Sequence, residues 1–88
     1  MPKYVAPRTR TEEVLVGIWS QLLRVNRVGI HDDFFQLGAD SLAAVRIVFR
    51  TREVFGVGVT LGQFFEHLTV ARLSRLVDEL LEEKAPGE

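Results

Sequence analysis

From Ser41 to Phe55 the chain runs fifteen residues without a proline or a glycine, with Asp40 directly before the stretch and Gly56 directly after it. Aspartate at such a boundary accepts a hydrogen bond from an amide of the first helical turn, and glycine tolerates the left-handed backbone that ends a helix. The stretch is therefore a helix over 41–55. Arg46, Arg50 and Glu53 fall at steps of four and three and share one face, while Ala44, Val45, Val48 and Phe55 lie mostly opposite. One side is made for a core and the other for solvent or a partner.

Similar signals place the remaining helices. Thr9 and Glu12 have the spacing of a capping box, Glu12 and Glu13 put negative charge where a helix dipole favours it, and Val14, Leu15, Ile18, Trp19 and Leu22 recur at helical spacing, giving a helix over 11–23. Thr60 and Gln63 repeat the capping-box spacing ahead of "LGQFFEHL", a short helix after the joint "GVGVT". Thr69 caps a last helix with the stripe Val70, Leu73, Leu76, Val77, Leu80 and Leu81. The stretch 24–40 has no helical period and is long for an idle connection, so Val28, Ile30, Phe34, Phe35 and Leu37 are expected to tuck it under the bundle, with Asp32–Asp33 capping one short turn that Gly38 ends. No segment alternates like a strand. The expected fold is all-α, a four-helix bundle of three main helices and one short one with a long first connection.

With 88 residues there is room for one domain, read as a linker over 1–10, a folded unit over 11–83 and a flexible tail over 84–88. Eleven basic against twelve acidic side chains provide no global field to recruit nucleic acid or an anionic membrane. The absence of cysteine removes thiol nucleophiles and thiolate metal sites, and no apolar run approaches the length of a membrane span. A cytoplasmic monomer is the expectation. Trp19 and the phenylalanines are expected in the core, since so small a domain needs its large side chains buried.

"FFQLGADSL" delivers Ser41 to the start of the second helix. Aspartate and serine at a helix start are what capping alone predicts. The same position also presents a hydroxyl to free amide donors and to the positive end of the helix dipole, where an attached phosphodiester would be stabilised by roughly 0.3–1 kcal/mol. A hydrolase reading fails, because a Gly-x-Ser-x-Gly elbow needs glycines where Ala39 and Ala43 stand, and a strand before them. His31 beside Asp32 and Asp33 lacks the spaced ligands of a metal site, and His67 reads as a dipole partner at the end of the short helix.

These residues resemble the carrier domains, and among them the peptidyl carrier (thiolation) domains of nonribosomal peptide synthetases. "YVAPRTRTEE" is similar to the linker after an adenylation domain, "IWSQLL" to the end of the family's first helix, "VGIHDDFFQLGADSL" to its signature, and "REVFGVGVTLGQFFEHLTVARLSRLV" to the rest. The resemblance implies a bundle of the acyl-carrier-protein type. It also implies a phosphopantetheinyl transferase that attaches 4'-phosphopantetheine from coenzyme A to Ser41, with Asp40 and Leu42 flanking the arm. The loaded arm would then pass aminoacyl or peptidyl thioesters among adenylation, condensation, epimerisation, tailoring and thioesterase domains, the carrier itself being no enzyme. Ala43, Arg46 and Arg50, with Phe64 and Phe65, form the expected docking patch.

The family usually has Gly-Gly-His-Ser, whereas Ala39 and Asp40 precede the serine here. Acid before serine resembles polyketide and fatty-acid carriers and some peptidyl carriers that serve particular partners. Against the fatty-acid class, residues 41–55 hold Arg46, Arg50 and Arg52 against Glu53, 3 − 1 = +2, where that class has a strongly acidic helix. A polyketide acyl carrier is the nearer alternative. A small helical nucleic-acid-binding module, with the same arginines on phosphates, is the alternative from another class, opposed by the acidic overall balance.

Overall fold

The computed structural model describes residues 3–84. Four helices, α1 (Arg10–Leu23), α2 (Ser41–Phe55), α3 (Leu61–Phe65) and α4 (Val70–Lys84), follow one another, with a single 3-10 turn at Phe35–Leu37. Among the described residues there is no strand. α1 packs on α2 and α4, and α3 packs on α2.

Each boundary has a local cause. Thr9 Oγ1 accepts from the Glu12 amide at 3.1 Å and opens α1 one residue earlier than expected. The reciprocal half of that capping box does not form. The Glu12 carboxylate reaches one residue further back, to the Arg8 amide at 2.7 Å and the Arg8 guanidinium at 2.9 and 3.3 Å. Glu12 is only 2% exposed. Hydrogen bonding by the Arg8 side chain, outweighing burial, holds its carboxyl below the usual range.

α1 ends on Arg24, which adopts φ 57 although it is not glycine, a conformation that costs about 1–2 kcal/mol for an L-residue. α2 opens on Asp40 and closes on Gly56 at φ 67, the limits the sequence predicts. Thr60 and Gln63 complete a true capping box around α3, with both bonds at 3.0 Å. Thr69 Oγ1 accepts from the Arg72 amide at the start of α4.

The far end of α4 differs from expectation. Lys84, read as the first residue of the tail, is the last residue of the helix, and its Nζ donates to the Gly56 carbonyl at 2.6 Å. A cation there satisfies a carbonyl left over at the end of α2. Residues 85–88 of the expected tail, and Met1 and Pro2 of the expected linker, lie outside the described residues.

The long connection is pinned from both sides, as its apolar content predicts. The Phe34 amide donates to the Leu68 carbonyl and the Ala71 amide to the Ile30 carbonyl, both at 2.9 Å, and Val28, Ile30 and Phe34 are fully buried. Asp33 Oδ2 accepts from the amides of Phe35 and Gln36 and so caps the 3-10 turn, which Gly38 ends at φ 88.

Trp19, Phe34 and Phe64 form the aromatic centre, with ring centroids 5.6, 6.0 and 5.0 Å apart pairwise and rings mostly edge to face. The expectation that every phenylalanine is core requires correction. Phe35, Phe49 and Phe65 are 46%, 63% and 37% exposed. Burial on an irregular turn or a short helix depends on where the neighbouring elements lie, and here only one ring of each Phe-Phe pair can face Trp19. Among the described residues, no helix is long and apolar enough to cross a membrane.

Candidate functional site

Ser41 is the first residue of α2 and is exposed. Two local devices put it there. Gly38 turns the chain out of the 3-10 turn, and Asp40, extended at φ −124 and ψ −177, gives its Oδ1 to the Ala43 amide at 3.0 Å. That bond uses one first-turn donor. The amides of Ser41 and Leu42 belong to the set a helix leaves without an intrahelical acceptor, so the hydroxyl stands beside free N–H groups at the positive end of a fifteen-residue helix. A phosphodiester fits such a place, since it needs donors and positive potential and no cavity.

The predicted neighbours of Ser41 divide. Leu42 is 60% exposed, Arg46 and Arg50 are exposed, and Ala43 is half-buried. Arg50 is 3.5 Å from Glu53, a surface ion pair one turn further on, and leaves Arg46 as the nearer free cation along this face. Phe64 has to be withdrawn from the docking patch. It is fully buried against Trp19 and Phe34, and a side chain with no exposed surface offers a partner nothing.

Phe65 stays on the surface, where its ring lies parallel to that of Phe35 with centroids 6.2 Å apart. Phe49, missing from the predicted patch, is the most exposed large apolar side chain described. Its place was legible, because residues 42, 45/46 and 49 share a helical face.

Elsewhere the residues set aside at first stay apart. Among the described residues no three His, Asp or Glu side chains gather into a group that could hold a metal ion. Asp32 and Asp33 instead accept from backbone amides, and His67 Nδ1 donates to the Gln63 carbonyl at 2.7 Å. No strand precedes Ser41, so the nucleophile elbow of a hydrolase is absent from the described residues.

The family of the phosphopantetheine attachment site matches residues 13–77, a span with Ser41 near its middle. The chain belongs to that family. It is a carrier domain, and the family's prosthetic group is phosphopantetheine. A solved active-site mutant of a peptidyl carrier protein superposes with a TM-score of 0.86 at 31% identity, over 91% of this chain and 89% of that one. A peptidyl carrier protein solved with the phosphopantetheine transferase Sfp and coenzyme A gives 0.83 at 33% identity, over 86% and 99% of the two chains. In sequence, a linear gramicidin synthase of Brevibacillus parabrevis is 51% identical over 82 residues. Those residues are 93% of the carrier domain and 1% of that synthase.

Proposed function

We propose that Ser41 is the attachment residue, and that the domain carries aminoacyl or peptidyl thioesters in nonribosomal peptide assembly without catalysing any step itself. The exposed hydroxyl at the capped start of α2 is the observation that carries this reading. In the modification, Ser41 Oγ attacks the β-phosphorus of coenzyme A and gives its proton to the transferase's base. The P–O bond to the α-phosphate breaks and 3',5'-adenosine bisphosphate leaves, so the serine ends as a phosphodiester. Asp40 fixes the helix end, and the amides of Ser41 and Leu42 supply donors to the new phosphate.

The partners are a phosphopantetheinyl transferase, an adenylation domain that loads the arm, and condensation, epimerisation, tailoring or thioesterase domains that unload it, all cytoplasmic. The segment before α1 serves as the link from the adenylation domain, and the carrier acts as a monomer. Its address is the outward face of α2, namely Leu42, Arg46, Phe49 and Arg50, with the exposed edge of Ala43 and with Phe65 beside it. Tethering makes each meeting intramolecular, at an effective concentration on the order of millimolar for a short flexible link, so each contact can stay weak.

Incubation with coenzyme A and a permissive transferase should raise the intact mass by one phosphopantetheine. Ser41→Ala should remove the gain and leave the far-ultraviolet dichroism unchanged; an unchanged gain in that variant places the arm elsewhere. Ala39–Asp40 before the serine favours a polyketide acyl carrier as the second reading. Loading separates the two, with an adenylation domain and an amino acid on one side, an acyltransferase and malonyl coenzyme A on the other.

A further inference from the structure

The residues ahead of α1 do not hang free. Val5 is partly buried against the core, and its carbonyl accepts from the Ile30 amide at 3.0 Å. The Arg27 guanidinium lies 4.1 Å over the Tyr4 ring, above a hollow of about 350 Å³ that the two share with His31, Asp32, Asp33 and Gln36. At the other end of the segment Arg8 holds the buried Glu12 through its amide and its guanidinium. Residues 3–9 are thus held at three points, two on the long connection and one on α1.

We propose that residues 3–9 are a releasable latch, docked on the 24–40 connection by Tyr4 and Val5 and on α1 by Arg8, whose release changes where the chain leaves the carrier. Each attachment is weak taken singly: one backbone hydrogen bond, one exposed cation–π contact, and one ion pair whose arginine is more than half exposed. Lifting the segment leaves the connection in place, because the bonds from Phe34 to Leu68 and from Ala71 to Ile30 do not involve it.

Docked, the tether leaves beside Arg27 and His31. Released, it leaves from the start of α1 with about seven more residues of chain, about 25 Å at full extension. A carrier that must reach several domains in turn gains that reach without any change in its bundle. This use of the latch rests on the carrier reading above, but the latch itself does not.

Amide hydrogen exchange of the full apo chain tests it. The Ile30 amide is expected to be protected, yet to exchange through a local opening faster than the Phe34 and Ala71 amides. Glu12→Gln, which removes a charge-assisted acceptor, should speed Ile30 about tenfold and leave the other two unchanged. Exchange of Ile30 in step with Phe34 and Ala71 would make the segment a fixed part of the bundle, and no protection at Ile30 would mean that it never docks; either overturns the proposal. Should Glu12→Gln speed all three alike, Tyr4→Ala decides, since that side chain lies outside the helices: acceleration of Ile30 alone upholds the latch, any other pattern ends it. As the chain has no cysteine, a spin label on Lys3→Cys gives a second measure, and should broaden the amides of 31–37 less in Glu12→Gln than in the parent. None of these readouts involves Ser41, so they stand or fall apart from the mass measurement.

Discussion

Three pairs of identical neighbours, Glu12–Glu13, Phe34–Phe35 and Phe64–Phe65, each split between the inside of the bundle and its surface. The inner members are the buried carboxylate that ties down Arg8 and two rings packed against Trp19. The outer members are a first-turn acid 3.6 Å from Arg10 and two parallel rings open to solvent. Residue type is the same on both sides of the divide, so the difference in role is one of position alone. The inner set stabilises the fold, and the outer set is free to meet partners.

The sharpest way to break that contrast is to truncate one ring pair. Phe64→Ala should cost about 3–5 kcal/mol, because it empties a filled core site, while Phe65→Ala should cost well under half as much. Denaturant melts of the two variants measure this. Equal losses would mean that the outer ring is core after all.

The acid pair comes next in size. Glu12→Gln should lose about 1.5–3 kcal/mol, the worth of hydrogen bonds to a charged group, and Glu13→Gln within about 0.5 kcal/mol of nothing. The pH dependence has a definite sign. Since Arg8 lowers the Glu12 pKa in the folded state, its contribution is full above the unfolded carboxyl pKa and fades as pH falls through the lowered folded one. The parent should therefore lose stability on acidification more steeply than Glu12→Gln, and parallel pH–stability curves would contradict the ion pair.

Docking offers a smaller effect on the outer side. Phe49→Ala should shift stability by less than about 0.5 kcal/mol yet raise the KM of the transferase for the carrier several-fold, as loss of an exposed aromatic anchor does. An unchanged KM would remove Phe49 from the address. The smallest effect is expected at Arg24, whose left-handed backbone suits glycine. Arg24→Gly should raise the melting midpoint by the equivalent of up to about 1 kcal/mol, the relief of strain being offset in part by the added freedom of the unfolded chain.

Trp19 marks where inside and outside are balanced least well. Its Nε1 is buried without a hydrogen-bond partner among the described residues, and its ring packs among those of Phe34 and Phe64. An indole N–H is tolerated there because its large apolar body more than offsets one unmet donor.

Much of this was legible in the sequence. The limits of α2, the caps at Thr9, Asp40, Thr60 and Thr69, the glycine stops at Gly38 and Gly56 and the exposed start at Ser41 all follow from bonds that close within three or four residues. Such bonds depend on the identity of near neighbours and on little else, so the chain specifies them directly. Which phenylalanine of a pair turns inward, where Glu12 finds its partner, how far α4 extends and whether the first residues lie against the bundle were decided only by tertiary packing. In irregular backbone the direction of a side chain is set by surfaces distant in sequence, here Trp19, Leu68 and Gly56, and no local pattern reports where those will be.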